Sequence, residues 1–110
     1  MQLKYTDSTG REAVLQLGAD PVIIGRVPEC DVQLADDRVS RHHCEIRAWD
    51  DVFVVRDLGS HNGTLINGQR TEIAVLKDGD KIGIGNTTVC VLGDSADHYR
   101  GMLREIVKRI

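Results

Sequence analysis

Three stretches of this chain gather hydrogen-bond donors at close spacing. Gly25-Arg26 follows the apolar run Val22-Ile23-Ile24. Glycine there tolerates unusual backbone angles and close approach, and arginine presents a planar fork of donors. The second stretch, Arg38-Val39-Ser40-Arg41-His42-His43, supplies a hydroxyl, two guanidiniums and two imidazoles just ahead of Cys44-Glu45-Ile46. The third is Gly59-Ser60-His61-Asn62-Gly63-Thr64, with Asn67-Gly68 close behind. The chemistry these residue types offer is donation to an acceptor-rich ligand. Each stretch also has a plain reading: Asn and Ser stabilise turns through their own backbone bonds, Gly supplies positive φ, and exposed Arg is common.

Catalysis does not emerge from the same residues. An enzyme reading would start from His42, His43 and Cys44, with Asp36 and Asp37 nearby. Adjacent residues on a strand point to opposite faces, so His42 and His43 make poor partners in one metal site. The sequence holds no thiol–imidazole pair with an orienting third group, no nucleophile elbow and no Gly-Lys-Ser/Thr phosphate loop. The expectation is a binding module with no catalytic residue, no metal and no cofactor.

The elements that must position these stretches are short strands. Residues 3–6 and 13–17 flank Asp7-Ser8-Thr9-Gly10, a polar loop suited to a hairpin. Further strands are expected at 22–24, 32–34, 43–48 and 52–57, the last two joined through Asp50-Asp51. Residues 64–66 run into Asn67-Gly68, a strong hairpin-turn signal, and 81–84 pairs with 87–92 across Gly85-Asn86. About ten short strands at this spacing favour a β-sandwich over a parallel α/β sheet. The period then changes: Tyr99, Met102, Leu103, Ile106, Val107 and Ile110 recur at helical spacing, and Asp94 or Ser95 could cap that helix. The expected organisation is a domain over 1–93 and a C-terminal helix over 94–110. That helix would pack on the sandwich or serve self-association.

At 110 residues the chain fits one domain with one modest core. Its formal net charge of −3 argues against a general nucleic-acid or membrane binder, although a local basic pocket remains compatible with it. No apolar run approaches the roughly 20 residues needed to span a bilayer. The N-terminal residues lack the basic start and apolar stretch of a secretory signal. A cytoplasmic protein is the expectation. Three widely spaced cysteines, Cys30, Cys44 and Cys90, do not suggest a disulfide framework. Cys44 and Cys90 lie in apolar segments and read as core residues, whereas Cys30 lies in a turn-rich stretch.

Taken in order and spacing, Gly25-Arg26, Ser40-Arg41-His42-His43 and Ser60-His61-Asn62-Gly63-Thr64, followed by Asn67-Gly68, resemble the signature of the forkhead-associated (FHA) domain. The likeness covers about residues 1–93. It implies an all-β, SMAD-like sandwich of about eleven short strands whose loops at one end bind phosphothreonine peptides, a known mode of Arg-based phospho-motif reading. By this resemblance Arg26 would pair with the phosphate and Ser40 would donate its hydroxyl. Arg41 occupies a position that often adds a phosphate or peptide contact, and Asn62 would hydrogen-bond the ligand backbone. His61 stands where many members place Thr, and Arg38 could read the third residue after the phosphothreonine. Gly25, Gly63, Asn67 and Gly68 would shape loops, and His43 resembles a histidine that braces them. The implied partner is a phosphothreonine-containing protein or peptide made by an upstream Ser/Thr kinase.

Overall fold

The structure, a computed structural model, describes residues 1–93. Eleven strands follow one another in these residues: β1 (Gln2–Thr6), β2 (Glu12–Gln16), β3 (Val22–Gly25), β4 (Val32–Gln33), β5 (Cys44–Trp49), β6 (Val52–Asp57), β7 (Thr64–Ile66), β8 (Gln69–Thr71), β9 (Ile73–Val75), β10 (Lys81–Ile84) and β11 (Thr87–Leu92). They form a six-stranded sheet in the order β2-β1-β11-β10-β7-β8 and a five-stranded sheet in the order β4-β3-β5-β6-β9. All neighbours are antiparallel except β3 and β4, which pair in parallel. The expected sandwich is therefore present. The helix expected over 94–110, with its domain boundary and its role in self-association, lies outside the described residues.

Alternation builds the core. Along β5, Cys44 and Ile46 face inward while Arg47 and Trp49 are exposed, and along β10 Ile82 and Ile84 face inward around Gly83. Leu3, Ile24, Val32, Ile46, Ile82, Ile84, Val89 and Val91 from both sheets meet in one cluster. Leu34 and Val39 belong to it although they lie outside the strands, so the segment between β4 and β5 is pinned by its own apolar side chains. On the outer face of the five-stranded sheet, Trp49 and Ile73 stay mostly exposed.

Two strands escaped the sequence pattern. β8 and β9 are three residues each, and Gln69-Arg70-Thr71 carries no apolar alternation to reveal it. The β8 ladder comes from the turn before it: Asn67 and Gly68 have φ of 51° and 85°, the pair of positive values that a type I′ hairpin demands, whereas β9 pairs with the distant β6 in the other sheet. The strand expected from His43 begins at Cys44, because His43 belongs to the preceding loop. Cys30 and Cys44 are buried free thiols, whereas Cys90 is half-buried rather than a full core residue. Burial, with the Asp57 charge adding to it, pushes the Cys44 thiol up to about 12, which leaves it an unreactive apolar filler. No helix among the described residues is long and apolar enough to cross a membrane.

Core and surface positions should respond differently to truncation. Ile24→Ala, which empties a fully buried position in the central cluster, is expected to cost about 2–5 kcal/mol in urea unfolding. Val14→Ala, on an exposed position of β2, should cost below about 0.5 kcal/mol. Equal costs would contradict the placement of the core.

Candidate functional site

Three loops meet at one end of the sandwich: the one after β3, the one between β4 and β5, and the one between β6 and β7. Their junction is built from backbone. The Arg26 N–H donates to the Ser40 carbonyl and to the Arg41 carbonyl, each at 3.1 Å. Such an approach requires that residue 25 have no side chain. A Cβ on Gly25 would sit 2.1 Å from the Arg41 oxygen and 2.8 Å from the Cys30 sulfur. The Cys30 thiol itself donates to that same Arg41 oxygen at 3.2 Å. Cys30, unplaced by sequence, is thus part of the seam between the first two loops.

His43 joins the second loop to the third. Its ring is fully buried. The Ser40 N–H donates to Nδ1 at 3.0 Å, and Nε2 lies 2.9 Å from the Gly63 carbonyl. A nitrogen that accepts an N–H carries no proton, so the ring proton is on Nε2, donating to Gly63. This is the bracing role expected of His43. His42, one residue earlier, is exposed and lies 3.8 Å from Glu29, so the two imidazoles diverge although both lie in the loop before β5.

Two aspartates finish the scaffold, and neither was singled out for this from sequence. Asp57, at the end of β6, accepts the Thr64 hydroxyl at 2.7 Å, the Ser60 N–H at 3.0 Å and the Ser60 hydroxyl. The Ser60 oxygen in turn accepts the Gly63 N–H at 2.9 Å. Ser60 therefore faces inward and shapes its loop. Asp36 accepts the Arg38 N–H at 3.0 Å, and its other oxygen takes the Asn86 N–H at 2.7 Å and the Thr87 hydroxyl at 3.0 Å. It ties the second loop to the β10–β11 turn. The signal available in sequence was the Asp-x-x-Ser and Asp-x-Arg spacing of side-chain-capped turns.

What the scaffold leaves facing outward is an unspent donor set. The Ser40 oxygen accepts the His61 N–H at 3.0 Å, and its own proton has no acceptor among the described residues, so it is free to donate. Arg26 is pinned by Nε to the Val39 carbonyl at 3.1 Å, which leaves its terminal nitrogens available. Arg38 and Arg41 are exposed, and none of the three arginines forms an ion pair among the described residues. The Asn62 amide nitrogen donates to the Arg38 carbonyl at 2.8 Å, which fixes the side chain and leaves its oxygen to accept. Arg26, Arg38, Ser40, Arg41, His61 and Asn62 are thus all carried on the same loop cluster.

Asn67 and Gly68 are not. They lie at the other end of β7 from Gly63, roughly 10 Å away along a three-residue strand. There Asn67 donates to Asp80 at 2.9 Å and accepts the Lys81 N–H at 3.0 Å. They support the sheet and stand apart from the site. Among the described residues, no group of three or more His, Cys, Asp and Glu could hold a metal ion.

A rigid β-sandwich whose converging loops hold uncommitted cations and a free hydroxyl defines a docking domain for anionic ligands. Residues 22–85 match the FHA domain family, and the chain belongs to that family. It is 38% identical over 81 residues to the oxoglutarate dehydrogenase inhibitor of Corynebacterium jeikeium (strain K411), covering 74% of this chain and 56% of that protein. It is 40% identical over 90 residues to the FHA domain-containing protein FhaA of Mycobacterium tuberculosis (strain ATCC 25618 / H37Rv), covering 81% of this chain and 16% of that one. The chain therefore spans only part of the length of these relatives. A structure solved in a structural and functional analysis of phosphothreonine-dependent FHA domain interactions matches it with a TM-score of 0.73 at 36% identity, covering 86% of this chain and 96% of the other.

Two outcomes follow from the scaffold. His43→Ala would leave the Ser40 N–H and the Gly63 carbonyl buried without partners. It is expected to destabilise by about 2–4 kcal/mol in urea unfolding, and a cost below about 1 kcal/mol would contradict the brace. The second outcome is acid sensitivity. Burial raises the Asp57 carboxyl, but the bonds from Ser60 and Thr64 outweigh it and hold the group below its ordinary value. A depressed carboxylate stabilises the fold fully above its unfolded pKa of about 3.9, and that contribution is lost as pH falls through the lower folded value. Urea midpoints should fall as pH drops below about 4, with a shallower slope in Asp57→Asn. An unchanged slope would contradict the assignment.

Proposed function

We propose that this FHA domain docks phosphothreonine-containing protein segments and performs no chemistry of its own, as a cytoplasmic module of Ser/Thr kinase signalling. One observation carries the reading: the Ser40 hydroxyl proton is uncommitted, and the arginines of the same loop cluster form no ion pair among the described residues. A phosphothreonine brings a charge of about −1.5 to −2 and three strong acceptor oxygens. A site for it needs cationic forks and short donors on a rigid frame.

The roles divide by what holds each side chain. Arg26, pinned through Nε, presents its terminal nitrogens to the phosphate, and Ser40 donates its hydroxyl. Arg41 adds a peripheral cation. Asn62 uses its free amide oxygen to accept a backbone N–H of the ligand, which sets the register of the peptide. His61, whose backbone N–H is spent on Ser40, contributes its ring to the phosphate or to a neighbouring ligand residue. Arg38 reads an acidic residue at the third position after the phosphothreonine. The upstream partner is the Ser/Thr kinase that makes the ligand.

A short flexible peptide loses conformational entropy on docking, so the affinity should be roughly micromolar, about −8 kcal/mol. Phosphothreonine, phosphoserine and unphosphorylated peptide libraries are expected to separate, with binding confined to the phosphorylated sets and strongest for threonine. Arg26→Ala should cost at least ~2 kcal/mol, the scale of truncating a buried charge partner. Arg38→Ala should remove the preference for Asp at the third position. Equal binding of phosphorylated and unphosphorylated sets by folded protein would overturn the reading.

A further inference from the structure

We propose that Arg70, in β8, reads a second anionic side chain of the ligand, on the part of the peptide that passes beside Asn62. The inference rests on the phosphothreonine reading and adds a contact to the same site. It starts from the path of one side chain. β7 and β8 pair with Leu65 opposite Arg70 and Thr64 opposite Thr71. Side chains alternate along a strand, so Arg70 stands on the face that carries Leu65, and position 63, two residues before Leu65, opens onto that face too. Arg70 occupies the opening. A Cβ on Gly63 would lie 2.7 Å from Arg70 Nε, 3.0 Å from Cζ and 3.2 Å from Cδ.

The arm of Arg70 therefore lies flat across Gly63 and carries the guanidinium toward the loop end, beside Asn62. Gly63 is kept free of a side chain by its own φ of 83°, and the arm of Arg70 occupies the space this leaves. The guanidinium is exposed, and among the described residues it has neither an ion pair nor a hydrogen-bond acceptor. Its donors are exposed and unused, open to an acceptor on a ligand. The Asn62 amide holds the backbone carbonyl of Arg38 at 2.8 Å, and Arg70 lies against Gly63, the next residue. A peptide anchored by Asn62 therefore runs past residues that carry two guanidiniums without ion pairs among the described residues. The chemistry that suits Arg70 is a planar, bidentate acceptor, either a carboxylate or a second phosphate.

The test is a phosphothreonine peptide array in which each flanking position carries Ala, Asp or phosphoserine in turn. It is read with the unaltered protein, Arg70→Gln, Arg70→Lys and Arg38→Gln. The unaltered protein should favour the acidic over the Ala peptide about three- to fivefold at an Arg70-dependent position, the scale of an exposed ion pair. Arg70→Gln should bring that ratio to about one, Arg70→Lys should keep part of it, and Arg38→Gln should leave it while affecting a different position. A larger gain from Asp identifies a carboxylate as the group read, and a larger gain from phosphoserine identifies a second phosphate. Retention of every acidic preference in Arg70→Gln would overturn the proposal while leaving phosphothreonine docking intact. Uniform weakening of all peptides by Arg70→Gln, with no change in the ratio, would make Arg70 a loop brace and equally overturn it. Absence of phosphothreonine-dependent binding by the unaltered protein would remove the underlying reading itself.

Discussion

The imidazole of His43 is the point on which the loop end of this sandwich depends. It is fully buried, takes the Ser40 N–H on one nitrogen and gives its proton to the Gly63 carbonyl from the other. Those two partners are 23 positions apart in sequence, and they belong to or adjoin two residues proposed to contact the ligand, Ser40 and Asn62. A ring with one donor and one acceptor at a fixed separation sets both distances at once, which a flexible amide would do less rigidly. The tautomer is dictated by the Ser40 N–H, so the arrangement is directional.

Around that ring the polar groups sort into two sets. Backbone donors and inward hydroxyls are consumed internally: Asp57 collects Ser60 and Thr64, Asp36 collects Arg38, Asn86 and Thr87, and the Arg41 carbonyl collects Arg26 and Cys30. No described buried side-chain nitrogen or oxygen is left without a partner. The outward set, comprising the Ser40 proton, the terminal nitrogens of Arg26 and the guanidiniums of Arg38, Arg41 and Arg70, is left unspent among the described residues. The net charge of −3 conceals this, because acidic groups such as Asp36 and Asp57 are occupied with backbone and hydroxyl donors and form no ion pair with the arginines. The family's small repertoire of site residues is thus supported by a larger set that never needs to touch the ligand.

Much of this was legible in the sequence, and the reasons differ by residue. The sandwich followed from period-two apolar runs and from Asn67-Gly68, whose turn geometry is nearly obligatory. The loop cluster was visible because Arg26, Ser40 and Asn62 are donor types crowded between strands in an order that resembles a family. β8 and β9 were not visible, since three residues cannot display a period; β8 owes its pairing to the preceding turn, and β9 to the distant β6. Asp57 and Asp36 were passed over because an aspartate in a turn looks the same whether it binds water or organises a loop. Arg70 was invisible for another reason: its relevance arises from a diagonal contact across β7 to Gly63, which no local pattern encodes. Asn67, expected to shape a loop, lies close to the motif in sequence and at the far end of β7 in space.

The most direct measurement is an amide-resolved NMR titration of the protein with a phosphothreonine peptide and its unphosphorylated counterpart. The account predicts phosphate-dependent shifts at residues 26, 38–43 and 60–63. The largest should fall on the His61 amide, because its acceptor, the Ser40 oxygen, changes charge environment when the hydroxyl engages phosphate. The amides of Asn67 and Gly68 should stay still. Shifts that centre instead on Trp49 and Ile73, or that are the same for both peptides, would contradict it.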